Sequence, residues 1–139
     1  MRARPGERFS RTVDLTRRSV ADFARAAGDD NPIHHDGAFA AATSFGRVIA
    51  SGPQTSALLM AHTASHFSES GPMLGLEFGF KFRRPVFADQ TVRLDWLVIS
   101  VRESSSLGGE IVDLRGRMVD EEGTTVVGAK GRVLLRDEL

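Results

Sequence analysis

The hydrophobic period of this chain changes from that of a helix to that of a strand across Ser68-Glu69-Ser70-Gly71-Pro72. Before that break, Ser51-Gly52-Pro53 opens a helix, since serine caps well and proline near the first helical position loses no hydrogen bond. Ala57, Leu58, Met60, Ala61 and Ala64 then put apolar groups on most sides of it, which predicts a buried helix. After the break, Leu74, Leu76, Phe78, Phe80 and Phe82 alternate with Gly75, Glu77, Gly79 and Lys81, the period of a strand. Further strands are predicted over 91–101, 110–119 and 124–135, and these three read as an antiparallel meander. A weaker alternation over 8–15, with Phe9, Val13 and Leu15 apolar, suggests a short edge strand.

Between that edge strand and the buried helix the chain is helical and polar by turns. Val20, Phe23, Ala24 and Ala27 share one helix face, Thr16 stands as its cap and Gly28 as its exit. Pro32 has no N–H and drives Asn31 out of the helical region, so 29–35 is a polar loop. Asp36 can cap a short helix through Phe39, Ala40 and Ala41, and 45–50 leads out of it as an irregular or extended connection. One apolar helix ahead of a run of long strands defines an α+β domain over 1–139, with helices on one face of an antiparallel sheet of about five strands. In so small a domain the uncovered sheet edge or face predicts a homodimer, or a higher assembly of dimers.

Composition narrows the function classes. Lys+Arg 18 balances Asp+Glu 18 and the pI is near 6.9, which offers no long-range field for a nucleic acid or an anionic membrane. The absence of cysteine removes disulfides, thiolate metal sites and a Cys nucleophile. No apolar run approaches a membrane span, and the opening Met1-Arg2-Ala3-Arg4-Pro5-Gly6-Glu7-Arg8 lacks the apolar core of a signal peptide, so the expectation is a cytoplasmic protein.

Four polar clusters remain. Asp29, Asp30, Asn31, His34, His35 and Asp36 crowd one loop, where a His beside a carboxylate suits acid/base chemistry; the competing reading is a helix exit with an Asx turn. Gly52 opens the buried helix, whose unpaired N–H groups can hold an anion or a developing oxyanion, although every helix has such a start. His62 and His66 stand one turn apart, the spacing of paired metal ligands, but without the neighbouring Glu of a metalloprotease; no metal site is expected. Lys81, Arg83 and Arg84 before Pro85 can grip substrate phosphates, or simply form a solvated face.

Taken in order, Asp29-x-Asn31-Pro32-x-His34, then Phe45-Gly46, then Gly52 at the helix head, then Phe80-Lys81-Phe82-Arg83-Arg84-Pro85-Val86-Phe87-Ala88-Asp89, the chain resembles the MaoC-like dehydratases and (R)-specific enoyl-CoA hydratases. The resemblance implies a hot-dog fold, a long helix wrapped by an antiparallel sheet, with subunits paired as dimers. It implies a hydro-lyase of fatty-acid metabolism that interconverts trans-2-enoyl and (3R)-3-hydroxyacyl thioesters of coenzyme A or acyl carrier protein, with no metal or redox cofactor. Asp29 and His34 then match the pair that activates water, Asn31 orients them, and the Gly52 N–H donates to the thioester carbonyl. Phe45, Ser51 and Arg84 are the expected substrate-binding residues. Where relatives commonly carry His-Gly-Met or His-Gly-aliphatic at the helix head, this chain reads Ser51-Gly52-Pro53. A thioesterase on the same fold, or a module that only binds acyl thioesters, are the alternatives.

Overall fold

The computed structural model describes residues 2–139. Strand β1 (Arg8–Leu15) leads into helix α1 (Arg17–Ala27), a 3-10 turn at Pro32–His34, the short helix α2 (Gly37–Ala41) and the long helix α3 (Gly52–Ser68). Strands β2 (Met73–Phe82), β3 (Gln90–Ser104), β4 (Gly109–Val119) and β5 (Thr125–Leu135) complete one sheet of order β1-β3-β4-β5-β2. Every pairing is antiparallel, so β3-β4-β5 is the predicted meander and β1 the predicted edge.

Local chemistry sets the helix ends where the sequence places them. The Thr16 side chain accepts the Ser19 N–H, and Gly28 closes α1 in the left-handed region at φ 77, which glycine enters without a Cβ clash. Asp36 caps α2 through the Phe39 N–H, and Ser51 caps α3 through the Gln54 N–H. The connection before α3 is extended: Ala50 donates to Val86 at 2.7 Å, Ala88 donates to Val48 at 3.0 Å, and Ile49 bridges Phe87.

The sheet's inner face closes on α3 through Trp96, whose indole N–H donates to the Leu59 carbonyl at 3.0 Å. Gly116 lies directly opposite Trp96, and a Cβ there would stand 2.5 Å from the indole, so the large ring is accommodated by a missing side chain. The expectation that this helix is buried on most sides needs correction. The face of α3 that it covers carries Leu59 and Phe67 together with Gln54, Thr55, His62 and Thr63, whereas Met60, Ala61 and Ala64 are exposed. A helix apolar on most sides has two faces to cover, and the sheet of one chain covers one.

Strand β2 departs from its simple alternation for a related reason. Gly75 pairs with the core residue Val133 and Glu77 with Arg132, which makes Leu76 an extra residue in a bulge. The bulge breaks the register between the leucines and the phenylalanines that follow, and leaves Leu74 and Leu76 exposed.

Candidate active site

The loop after α1 holds itself in place with its own polar groups. The Asp29 N–H donates to Ala24, Asp29 Oδ1 accepts from the Asn31 N–H at 3.0 Å, and Asn31 Oδ1 accepts from the Ile33 N–H at 3.3 Å, starting the 3-10 turn. Pro32 follows where its missing N–H costs nothing. That turn directs His34 inward, where it is 6% exposed. His34 Nδ1 lies 2.7 Å from the Ile49 carbonyl, and a carbonyl only accepts, so Nδ1 carries the proton. Nε2 is thereby turned to Asp29 Oδ2 at 3.4 Å. On the other side of the loop, His35 Nε2 donates to the Asp29 carbonyl at 2.7 Å. Asp29 thus commits one carboxylate oxygen to the loop and presents the other to His34.

Helix α3 begins beside this pair. In its first turn the Gln54 N–H is bound by Ser51 Oγ, the Thr55 N–H by the Ser51 carbonyl, and Pro53 has none. Gly52 holds the N–H of that turn with no acceptor among the described residues, at the positive end of the helix. His34, Phe45, Gly52, Thr55, Phe82 and Arg84 line a common cavity of about 430 Å³.

The structure therefore brings His34, Gly52, Phe45 and Arg84 onto one wall system, with Asp29 reaching it through His34. Asn31 is exposed and acts on the loop rather than on the cavity. Ser51 is 1% exposed and is spent as the helix cap. Several contributors were not among the expected site residues. The Ile49 carbonyl that sets the His34 tautomer is a backbone atom, and Phe82 reaches the cavity from the end of β2, its ring 3.2 Å from where a Cβ on Gly52 would stand. His35, seen in the sequence only as crowding, is the outer clamp of the loop.

The second histidine pair lies elsewhere, against β1. Phe9 stacks on His66 with ring centroids 3.8 Å apart and meets His62 edge-on at 5.0 Å, while His66 Nε2 lies 2.7 Å from Glu7 Oε2. Burial, aided by the charges of Arg11 and His66 and opposed by Asp95, lowers the His62 pKa to about 4.

A five-stranded antiparallel sheet wrapped on a long helix defines a hot-dog fold. Residues 2–113 match the MaoC-like domain model, and the chain belongs to that family of MaoC-like dehydratases. A UPF0336 protein of Streptomyces avermitilis is 30% identical over 131 residues, spanning 88% of this chain and 85% of the relative. The (R)-specific enoyl-CoA hydratase of Aeromonas caviae is 32% identical over 117 residues, spanning 84% of this chain and 83% of that enzyme. Among solved structures, the unliganded R-hydratase PhaJ1 from Pseudomonas aeruginosa superposes with a TM-score of 0.86 at 27% identity, covering 98% of this chain and 84% of that one.

Proposed function

We propose that this chain adds water to trans-2-enoyl thioesters to give (3R)-3-hydroxyacyl thioesters, and catalyses the reverse dehydration. The observation that carries the reading is the Asp29 Oδ2–His34 Nε2 pair, 3.4 Å apart, beside a cavity that His34 and Gly52 both line. Water is a weak nucleophile, so the chemistry needs a base beside it and a stabiliser for the charge that develops on the thioester oxygen. Asp29 removes a proton as the water oxygen bonds to the β carbon. Electron density shifts to the thioester oxygen, where the Gly52 N–H and the positive end of α3 stabilise the enolate. The proton held by Asp29 returns to the α carbon through His34 Nε2, which restores both groups and adds the elements of water across the double bond. The steps draw only on the chain's own residues. Arg83 and Arg84 at the cavity wall suit the phosphates of the thioester carrier.

A second copy of the chain is proposed on the open face of α3, where Met60, Ala61 and Ala64 lie exposed, with Leu74 and Leu76 also exposed on the adjoining edge strand β2. The catalytic reading is tested by the loss of enoyl-thioester absorbance on mixing with crotonyl-CoA, with chiral analysis of the product. Disappearance with (R)-3-hydroxybutyryl-CoA formed is the expected result. Thiol release without hydroxyacyl product would replace it with thioester hydrolysis, and binding without turnover over a panel of chain lengths would replace it with a carrier module.

A further inference from the structure

The sheet's outer face, opposite α3, carries its basic charge in an uneven way. Arg115 on β4 and Lys130 on β5 are directly opposed in the antiparallel register, and both are exposed. Like charges so placed repel and destabilise the pair of strands. No acid of this face forms an ion pair with either, and Glu77 on β2 stands opposite Arg132 rather than Lys130. Asp95 is held by Arg93 at 2.9 Å and Arg117 at 3.1 Å, and Asp113 by Arg132 at 2.7 Å and Arg102 at 3.0 Å. Burial alone would raise both of these carboxyls, but the hydrogen bonds from their arginines outweigh it and lower them, so each acid is already committed. Among the described residues Arg115 and Lys130 have no ion-pair partner.

A shallow depression of about 370 Å³ lies beside them, edged also by Arg132 with its partner Asp113, by the exposed Glu77, and by Gly79, above which a side chain would meet open space, with Ile99 45% exposed beside it. The basic surface runs on from there to the cavity. Lys130 is two residues from Gly128, about 7 Å along the strand. Arg83 lies over Gly128, and a second depression bounded by Arg83, Arg84 and Arg117 joins the outer face to the cavity wall.

We infer that this outer face docks an acidic carrier protein that presents the acyl thioester to the cavity, an inference that rests on the thioester reading above. A small carrier such as coenzyme A needs only the arginines at the cavity mouth. A patch extending a further two strand rows, with unpaired bases around one exposed isoleucine, has the breadth and mixed character of a protein contact. The chain as a whole is neutral, so this face is a local field for acidic side chains rather than a general attraction for anions.

The test compares wild type with an R115E/K130E variant on two substrates, crotonyl-CoA and purified acyl carrier protein charged with a crotonyl group. The expected result is a loss of about tenfold or more in kcat/KM for the carrier-protein substrate, with crotonyl-CoA changed less than about twofold. An R115Q/K130Q variant shows the same preference more weakly, and serves if charge reversal harms folding. Equal loss on both substrates, or no loss on either, overturns the docking. If wild type turns over neither substrate, the thioester reading fails separately, and titration with acyl carrier protein decides the docking alone: binding that the variant loses supports it, and absence of binding overturns it. Charge-sensitive binding of an RNA oligonucleotide with none of the carrier protein also overturns it.

Discussion

At the scale of single residues, the loop that carries Asp29 and His34 was legible because its proline and asparagine fix its shape, and the family resemblance singled the two residues out within it. What the sequence could not show was the division of labour between atoms. Asp29 spends Oδ1 on the Asn31 N–H, and His34 spends Nδ1 on the Ile49 carbonyl, so the two remaining atoms face each other. On the proposed mechanism, Asp29→Asn removes the base while keeping the acceptor for Asn31. It should lower crotonyl-CoA hydration by about 10²-fold to 10⁴-fold with the circular dichroism spectrum unchanged. His34→Ala should do the same, and the double variant should lose little more than either single one, since the pair acts as a unit. Retention of wild-type turnover in both single variants would remove them from the mechanism. The cap residue Ser51 belongs to stability instead: Ser51→Ala should cost roughly 1 kcal/mol in urea denaturation.

Elements were legible wherever a periodic run met a chemical stop. Caps at Thr16, Asp36 and Ser51 and the exit at Gly28 all stand where the sequence placed them. The face each element turns inward was less legible, because periodicity gives spacing without direction and a bulge at Leu76 resets it. The contact between sheet and helix depends on Gly116 lying under Trp96. Gly116→Ala should therefore destabilise the fold by about 1–3 kcal/mol in chemical denaturation, a cost of overpacking rather than of lost contact. On α3, His62 is buried against Phe9, with Arg11, His66 and Asp95 as the charges acting on it. Its pKa falls from 6.5 to about 4 on folding, so between these values the unfolded chain binds a proton that the folded chain refuses. Its contribution is complete above about pH 6.5 and is lost as the pH falls toward 4, roughly 1–3 kcal/mol in all. Thermal melts over that interval should show the decline, and His62→Leu should flatten it.

For the whole molecule, the open question posed by the structure is what covers the exposed side of α3. Met60 is 40% exposed, Leu74 43% and Leu76 41%, and Ala61 and Ala64 lie open on the same helix. If a second copy covers them, Ala61→Glu buries a charge in that contact and should shift sedimentation equilibrium from dimer to monomer at micromolar concentration. A wild-type monomer under the same conditions would refute the pairing. No helix among the described residues is long and apolar enough to cross a membrane.

The sequence by itself determined the order of the elements, their caps, the polar loop and the ordered set Asp29, Asn31, His34 and Gly52. These rest on interactions between residues a few positions apart, which a linear reading can see. Only the tertiary structure decided that β2 becomes the edge opposite β1, that the sheet covers the polar rather than the alanine-rich side of α3, and that Arg115 meets Lys130. It also decided which carbonyl orients His34 and which ring flanks Gly52. Those outcomes depend on long-range packing, in which distant segments compete for the same surface, and backbone atoms that carry no residue identity settle the geometry.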